Sequence, residues 1–470
     1  MSNSIPRTAL PTLVVNKMNE AVALHRQGKI DAAAAAYREL LRMAPRFPDA
    51  RVGLGLILLA RNQAEDGLHQ FQRALEINPA QVDALINAGS ACRELGQYAR
   101  AVDYYRKALE NLPEHDPNRQ MAWHNMGNAL YRMERWEEAF HCHEEAARLA
   151  PELPDPHFGM SLCLLALGRF EEGWREHEWR LHPSWVKRGG IKLPDTLRPQ
   201  WQGEEVTGKI VAIWDEQGFG DSLQFVRYVT CLKDRGATVW IVARPELAAL
   251  LESLTGVDRV IPQTDGSWTT QVDYWVPVMS LPHRCNMPEP LADIPYIRAP
   301  ADKAAYWARR LEAYPGPRVG LVWAGNVSHK YDRFRSMKLE ALGPLASLRE
   351  ISWFSLQKGA ATRQLEHPPA GLEIIPLGQD FHDFSDTAAA LVNLDLLITI
   401  DSAPAHLAGA LGVPVWTLLF HAPDWRWQLE RLDSPWYPDN MRLFRQEIPN
   451  DWSGVVREVT TALEAWQTAR

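Results

Sequence analysis

The stretch KIVAIWDEQGFGDSLQF, Lys209 to Phe225, decides how the larger part of this chain folds. Ile210 to Trp214 form an unbroken apolar run of strand length. Asp215 to Gly220 read as a turn, and Ser222 onward opens an apolar helical pattern. Strand, turn and helix in that order are the unit of a parallel α/β sheet. A dinucleotide-binding turn would carry a third glycine three residues after the second, and Leu223 stands there instead. What remains is a tight turn, Gln217, Gly218 and Gly220, that delivers Asp221 to the first turn of a helix. An aspartate in that place caps helices in many α/β proteins. A helix N-terminus also favours the negative charge that a general base requires.

The pattern continues outward. ATVWIVA, DRVI and YWVPVM follow as short strands, with helical SLQFVRYVTCLKDRG and PELAALLESL between them. EAYPGPR, Glu312 to Arg318, reads as a linker. A second series then begins: RVGLVWAG, ISWFSLQ, LEIIPL, LDLLITI and VPVWTLL, closed by an amphipathic helix in DWSGVVREVTTALEAWQ. The expectation is two Rossmann-like lobes, residues 197–315 and 316–470, with ligands at the carboxyl ends of the strands. Three turns of the second lobe attract attention. WAGNVSHKYDRFRS brings Gly325, Asn326, Lys330, Arg333, Arg335 and Ser336; LQKG brings Lys358; DSAPAH brings Asp401, Ser402, Ala403, Pro404 and His406. Small residues at a strand-to-helix turn let backbone N–H groups reach an anion, and the basic side chains would offset its charge. A solvated charge run and a buried structural histidine are the plain alternatives.

The first third of the chain repeats. Pro45, Pro79 and Pro113 are spaced by 34 residues, and Tyr37, Phe71 and Tyr105 keep the same step, as do Gly55 and Gly89. This period resembles the tetratricopeptide repeat, whose helix pairs bury their apolar faces only by stacking on neighbours. Repeats are expected at 14–47, 48–81, 82–115 and 120–153, with a partial one at 154–182. Asn19, Asn87 and Asn125 fall at one equivalent place, where Gly53 and Gly159 stand in the other repeats. Asparagine amides at that place could grip the backbone of an extended peptide, as a similar ladder does in the protein O-linked N-acetylglucosamine transferases. Asparagine is also an ordinary residue there. His141 and His143 lie two apart on a helix and so face different ways, which argues for packing rather than metal binding.

The net charge of -8 gives no basic body for nucleic acid. No apolar run reaches membrane-spanning length, and MSNSIPRTALPTLVV does not form a secretion signal. The five cysteines, Cys92, Cys142, Cys163, Cys231 and Cys285, are scattered and odd in number, which fits a reduced, cytoplasmic protein.

EQGFGDSLQFVRY, GLVWAGN, SLQKG, DSAPAHLAGALGVPVW and APDWRW together resemble bacterial tetratricopeptide-repeat proteins with a GT-B glycosyltransferase domain, relatives of the lipopolysaccharide heptosyltransferases. The resemblance covers nearly the whole chain. It implies an α plus α/β protein: a repeat superhelix, then a GT-B fold of two lobes. The C-terminal lobe would bind a nucleotide-sugar and the first lobe an acceptor, with no metal and no other cofactor. Asp221 matches the family's proposed base. Asp401, Ser402, Ala403 and His406 match its diphosphate- and sugar-binding turn, with serine and alanine where the family has threonine and glycine. Arg335 is the nearest counterpart of its phosphate-binding lysine. Gly325, Asn326, Ser336 and Lys358 complete the expected donor site. The acceptor implied is a protein held by the repeats, such as flagellin. A polysaccharide or lipid precursor, or a scaffold with a degenerate transferase lobe, is the alternative. No Asp-x-Asp element occurs, so arginine, lysine and helix N-termini would carry the diphosphate charge.

Overall fold

The computed structural model describes residues 12–329 and 331–469. The first eleven residues, where the N-terminal signal was sought, and Lys330 lie outside it. The chain divides into two compact units, one ending at Leu167 and the other beginning at Gly168.

Among the described residues the first unit is all helix: α1 Thr12–Arg26, α2 Ile30–Met43, α3 Pro48–Ala60, α4 Ala64–Ile77, α5 Val82–Glu94, α6 Tyr98–Asn111, α7 Asn118–Tyr131, α8 Trp136–Leu149 and α9 Pro154–Ala166. Each hairpin turns through one left-handed residue. Gly28 and Gly96 take it with φ of 73°, Asn62 with 60° and Glu134 with 59°. The N–H after each reaches back five residues: Lys29 to Leu24, Gln63 to Leu58, Gln97 to Cys92 and Arg135 to Leu130. Such a bond ends a helix and satisfies its last carbonyls.

The repeat period is also a packing rule. A Cβ on Gly55 would stand 2.5 Å from Phe71, and one on Gly89 would stand 2.6 Å from Tyr105. His143 fills the same place in its own repeat, its ring 2.8 Å from a Cβ on Gly127 and 2.6 Å from one on Gly159. It is buried, and burial holds its imidazole well below the usual range. The glycines make room for rings.

The second unit opens with α10 Phe170–His177 and α11 Pro183–Lys187. The sequence paired α10 with α9 as a partial fifth repeat. Its place is in the core of the second unit: Trp174 donates to the Pro288 carbonyl at 2.9 Å and meets Phe225 and Trp425 edge to face.

A four-stranded parallel sheet follows, ordered β3-β2-β1-β4. It comprises β1 Ile210–Trp214, β2 Thr238–Ala243, β3 Arg259–Pro262 and β4 Tyr274–Pro277. Its helices are α12 Phe219–Phe225, α13 Val229–Asp234, α14 Pro245–Leu251, α15 Leu281–Arg284 and α16 Ala301–Leu311. The second sheet has seven strands, ordered β10-β11-β9-β8-β5-β6-β7. They are β5 Arg318–Val322, β6 Ser352–Ser355, β7 Ile374–Pro376, β8 Leu396–Ile400, β9 Val415–Leu419, β10 Asp433–Ser434 and β11 Tyr437–Arg445. Only the β10–β11 pair is antiparallel. Helices α17 Asp332–Arg335, α18 Phe384–Leu391, α19 Ala403–Leu411 and α20 Ser453–Thr468 accompany it. β5 to β9 carry the runs read as strands. β10 and β11 went unread, because YPDNMRLFR is half polar and has a proline at its second place, the marks of a strand near an edge.

One expectation fails here. Cys231 and Cys285 are joined in a disulfide across a separation of 54 residues. Cys231 lies on α13 and Cys285 directly follows α15, so the pairing arises only when both pack beside the first sheet. Cys92, Cys142 and Cys163 are free and buried, as a small apolar side chain would be.

Candidate functional site

In a parallel sheet every strand ends on the same edge, and the turns of interest leave β1 at that edge of the first sheet and β5, β6 and β8 at that edge of the second. The β1 turn is anchored from beneath by two acids. Asp215 is buried and receives Nε of Arg244 at 2.8 Å and its second amino group at 2.8 Å. Glu216 is paired with Arg180. The strain then falls on Gln217, a non-glycine with φ of 59°. Gly218 has φ of -81°, so its role is not dihedral. It starts α12, and its N–H donates to Oδ2 of Asp221 at 2.7 Å. Gly220 is needed for space: a Cβ there would lie 2.8 Å from the edge of His406 and 3.6 Å from Cα of Ala403.

That contact joins the two turns on which the sequence reading rested. α12 of the first sheet packs on α19 of the second. At the junction Oδ1 of Asp221 receives Arg426 at 2.5 Å. Arg426 also donates to Oε1 of Gln224 at 2.6 Å and to Asp424 at 2.7 Å. Both Asp221 oxygens are therefore engaged. Burial alone would lower the Arg426 guanidinium; Asp424 and Asp221 outweigh it and hold the charge.

Asp401 follows β8 and is pushed up to about 6, first by burial and then by Asp424, against Arg335, Trp427 and Arg426. The Trp427 indole N–H stands beside this carboxyl without closing a hydrogen bond. Ser402 does not cap α19; its hydroxyl pairs with that of Thr399 at 3.0 Å. His406 is buried and neutral, held well below the usual range by burial and by Arg426. Its ring stacks on Trp427 at 5.3 Å, and Nδ1 meets the Tyr437 hydroxyl at 3.2 Å. Trp425, Trp427 and Trp436 are all buried, and Trp427 alone of the three covers His406.

The β5 turn is self-bonded. Gly325 N–H donates to Ser336 at 2.9 Å, Ser336 donates to Asp332 at 2.8 Å, and a Cβ on Gly325 would strike Arg335 at 2.7 Å. Asn326 closes a local turn on Ser328. Arg335 leans on Asp332 at 3.4 Å and is felt by both His329 and Asp401, which brings it to the site. Lys358 does not join it in this way: its ammonium donates to the Phe381 carbonyl at 2.5 Å. Its neighbour Gln357, not singled out in the sequence, is buried and ties Trp323 and Ala324 to the end of β6 through three bonds of 2.9–3.1 Å. Arg426, Asp424 and Gln224 were missed as well. The APDWRW motif was the available signal for the first two.

In the first unit the asparagine ladder is uneven. Asn19 is exposed and Asn125 half-buried, while the Asn87 amide donates to its own helix at the Asp83 carbonyl, 2.7 Å away. At Gly53 and Gly159 the corresponding space is taken by the rings of Tyr37 and His143.

The tetratricopeptide repeat family matches residues 18–77 and 58–116, and a second description of the same repeat matches 121–150. The N-terminal unit is a tetratricopeptide-repeat array. Protein FlbA of Caulobacter vibrioides is 26% identical, over 94% of this chain and 83% of its own length. The tetratricopeptide repeat-containing protein trd-1 of Caenorhabditis elegans is 23% identical over 35% of this chain and 21% of its own. Among solved structures, YrrB, described as a TPR protein with an unusual peptide-binding site, is 18% identical, covers 38% of this chain and 91% of its own, and has a TM-score of 0.33. The pilF protein of Pseudomonas aeruginosa gives 16%, 47%, 86% and 0.36. Repeat arrays of this kind present an extended surface to a protein or peptide partner. Among the described residues no helix is long and apolar enough to cross a membrane, and no three His, Cys, Asp or Glu residues are grouped to hold a metal ion.

The raised Asp401 has a consequence for stability. The folded protein keeps the Asp401 proton up to about pH 6, whereas the unfolded chain loses it near 3.8, the ordinary value of an aspartate. Folding stability contributed by this group therefore falls as pH rises from about 4 to 6, and is flat above. Asp401→Asn should melt higher than the parent at pH 7.5, by on the order of 1–3 kcal/mol, and the two should converge near pH 4. Parallel melting curves across that range would refute the raised value.

Proposed function

We propose that the second unit is a metal-independent glycosyltransferase of the GT-B type, and that the repeats recruit its acceptor, a protein such as flagellin. Supporting the fold are two parallel sheets whose strand ends meet through α12 and α19. The observation that carries the function is Asp221 of one lobe set against Arg426, within reach of the influence of Asp401 and Arg335 of the other. In the reaction the acceptor hydroxyl loses its proton to Asp221. Its oxygen bonds to the anomeric carbon as the bond from that carbon to the diphosphate breaks, and the nucleoside diphosphate leaves with the electron pair. Two of the roughly four lone-pair sites of a carboxylate are taken at Asp221, so others remain for that proton. Arg335 would steady the leaving group.

The reading places the protein in the cytoplasm, where nucleotide-sugars are made. The Cys231–Cys285 bond is unusual for that compartment. A second reading, a repeat scaffold with an inactive lobe, is favoured by the double engagement of Asp221.

The test is a thermal-shift screen of nucleotide-sugars on the full chain, then hydrolysis and transfer assays with and without EDTA. A binder at one hundred times its Kd should stabilise the protein by about 2.7 kcal/mol. Transfer should survive EDTA, and Asn19→Ala/Asn87→Ala/Asn125→Ala should bind the acceptor more weakly while hydrolysing the donor as the parent does. Absence of any nucleotide-sugar binding would favour the scaffold. Activity lost with EDTA and restored by Mg²⁺ would assign the diphosphate to a metal.

A further inference from the structure

We propose that Arg426 is the positioning residue of this site: it orients Asp221 for proton abstraction and offers its remaining N–H groups to the diphosphate of the donor. The proposal rests on the transferase reading above.

Four observations lead to it. Arg426 is buried, with its side chain 8% exposed, and a charge so placed is retained only when paired. Of its five N–H groups, the Nε one goes to Gln224, one to Asp424 and one to Asp221. The fork therefore still has donors for an anion while it holds Asp221. Second, it bridges the sheets: Asp221 and Gln224 stand on α12, while Arg426 and Asp424 belong to the segment after β9. A single side chain thus sets the base of one lobe against the anion site of the other. Third, the glutamine that Arg426 holds has a buried donor with no hydrogen-bond partner among the described residues, Nε2 of Gln224. Gln224 is 0% exposed. A buried donor is seldom left so, and a ligand with several acceptor oxygens would satisfy it. Fourth, non-glycine residues in the left-handed region flank the pair on both sides, Gln217 at 59° and Gln428 at 49°. Such conformations persist where surrounding contacts impose them, and they gather at ligand sites.

The charges explain why the diphosphate needs this arginine. Asp221, Asp424 and Asp401 surround it, and Arg335 is partly spent on Asp332. Without Arg426 an incoming diphosphate would meet mostly carboxylates. Arg426 pairs with two of these carboxylates, Asp221 and Asp424, and so lessens the negative charge that an anion would meet.

The test uses the full chain, with inorganic pyrophosphate as the binding probe and the best nucleotide-sugar from the screen for turnover. Arg426→Gln should weaken pyrophosphate about 10- to 100-fold, the loss of a charge-assisted contact, and should lower kcat of donor hydrolysis as well. Arg431→Gln, an equal charge change at an exposed pair with Asp433, should do neither. In an Asp221→Asn background, Arg426→Gln should still weaken pyrophosphate but should not lower kcat further, because its effect on kcat passes through Asp221. Added guanidinium ion should restore part of the turnover of Arg426→Gly. If Arg426→Gln does not fold, Arg426→Lys decides: the charge stays and the fork is lost, so pyrophosphate binding should survive while kcat falls. Wild-type pyrophosphate affinity in a folded Arg426→Gln protein overturns the proposal. So do kcat losses that multiply in the double variant, or an Arg426→Lys protein with unchanged kcat. A wild-type protein that binds no nucleotide-sugar overturns the transferase reading itself, and is told apart because the failure precedes any substitution.

Discussion

Asp221→Asn should slow sugar transfer by about 10²–10⁴-fold, the loss typical of removing a general base, while nucleotide-sugar affinity changes little. Asparagine keeps the shape of the side chain but not its chemistry. In the parent, one oxygen accepts the Gly218 N–H and the other accepts Arg426. The amide has only one oxygen, so one of these donors would face an NH2 group instead. Some local stability is lost with the base, and a melting curve must accompany the rate. The discriminating control is Asp424→Asn. Asp424 holds the same arginine at 2.7 Å but lies outside the β1 turn. If the rate falls for Asp221→Asn and much less for Asp424→Asn, the loss belongs to the base. Equal losses in both would mean that the carboxylates serve only to hold Arg426, and near-normal turnover by a folded Asp221→Asn protein would end the assignment.

The largest loss of stability should come from Glu216→Gln, by about 3–5 kcal/mol, because it takes one of two carboxylates from a buried guanidinium and leaves it to Glu178 alone. Arg180 and Glu216 have side chains 1% and 0% exposed. They form a two-pronged pair, at 3.2 and 2.7 Å, and Glu216 also accepts the Met279 N–H at 3.0 Å. Burial pushes the Glu216 carboxyl up. Burial alone would also lower Arg180, but Glu216 and Glu178 outweigh it and raise that group. The fork geometry and the Met279 amide, which needs an acceptor, identify the pair as ionised. Glu178 continues the network to Ser280 and Arg284 at 2.7 and 2.6 Å. Because Glu216 directly precedes the strained Gln217, its loss should also loosen the turn that carries Asp221. Urea denaturation measures the first effect. Replacing the pair together, Arg180→Met with Glu216→Leu, should cost less than Glu216→Gln alone, since no unpaired charge stays behind. A single substitution that unfolds at the same urea concentration as the parent would show that the pair is not the anchor.

Elements that rest on near neighbours can be read from the order of residues alone. A 34-residue step of proline, glycine and ring names the helix pairs, because each pair meets only the next and the same contact recurs. Its left-handed turn recurs with it, at Gly28, Asn62, Gly96 and Glu134, although two of these are not glycine. Runs such as IVAIW and LLITI declare buried strands, and the turns after them can be placed at one sheet edge because parallel strands end together. For that reason Asp221 and Asp401 could be singled out before any contact was known, and His406 joined them through the family that its motif resembles. The tertiary structure decided what meets them. Arg426 reaches Asp221 across 205 residues, Trp427 and Tyr437 fix His406, Cys285 finds Cys231, and α10 leaves the repeat period to pack its Trp174 on Phe225. None of these pairs has a period or a spacing. Each depends on two distant chain segments arriving at one place, where burial leaves a charge, a ring or a thiol to be satisfied by whatever the other segment brings.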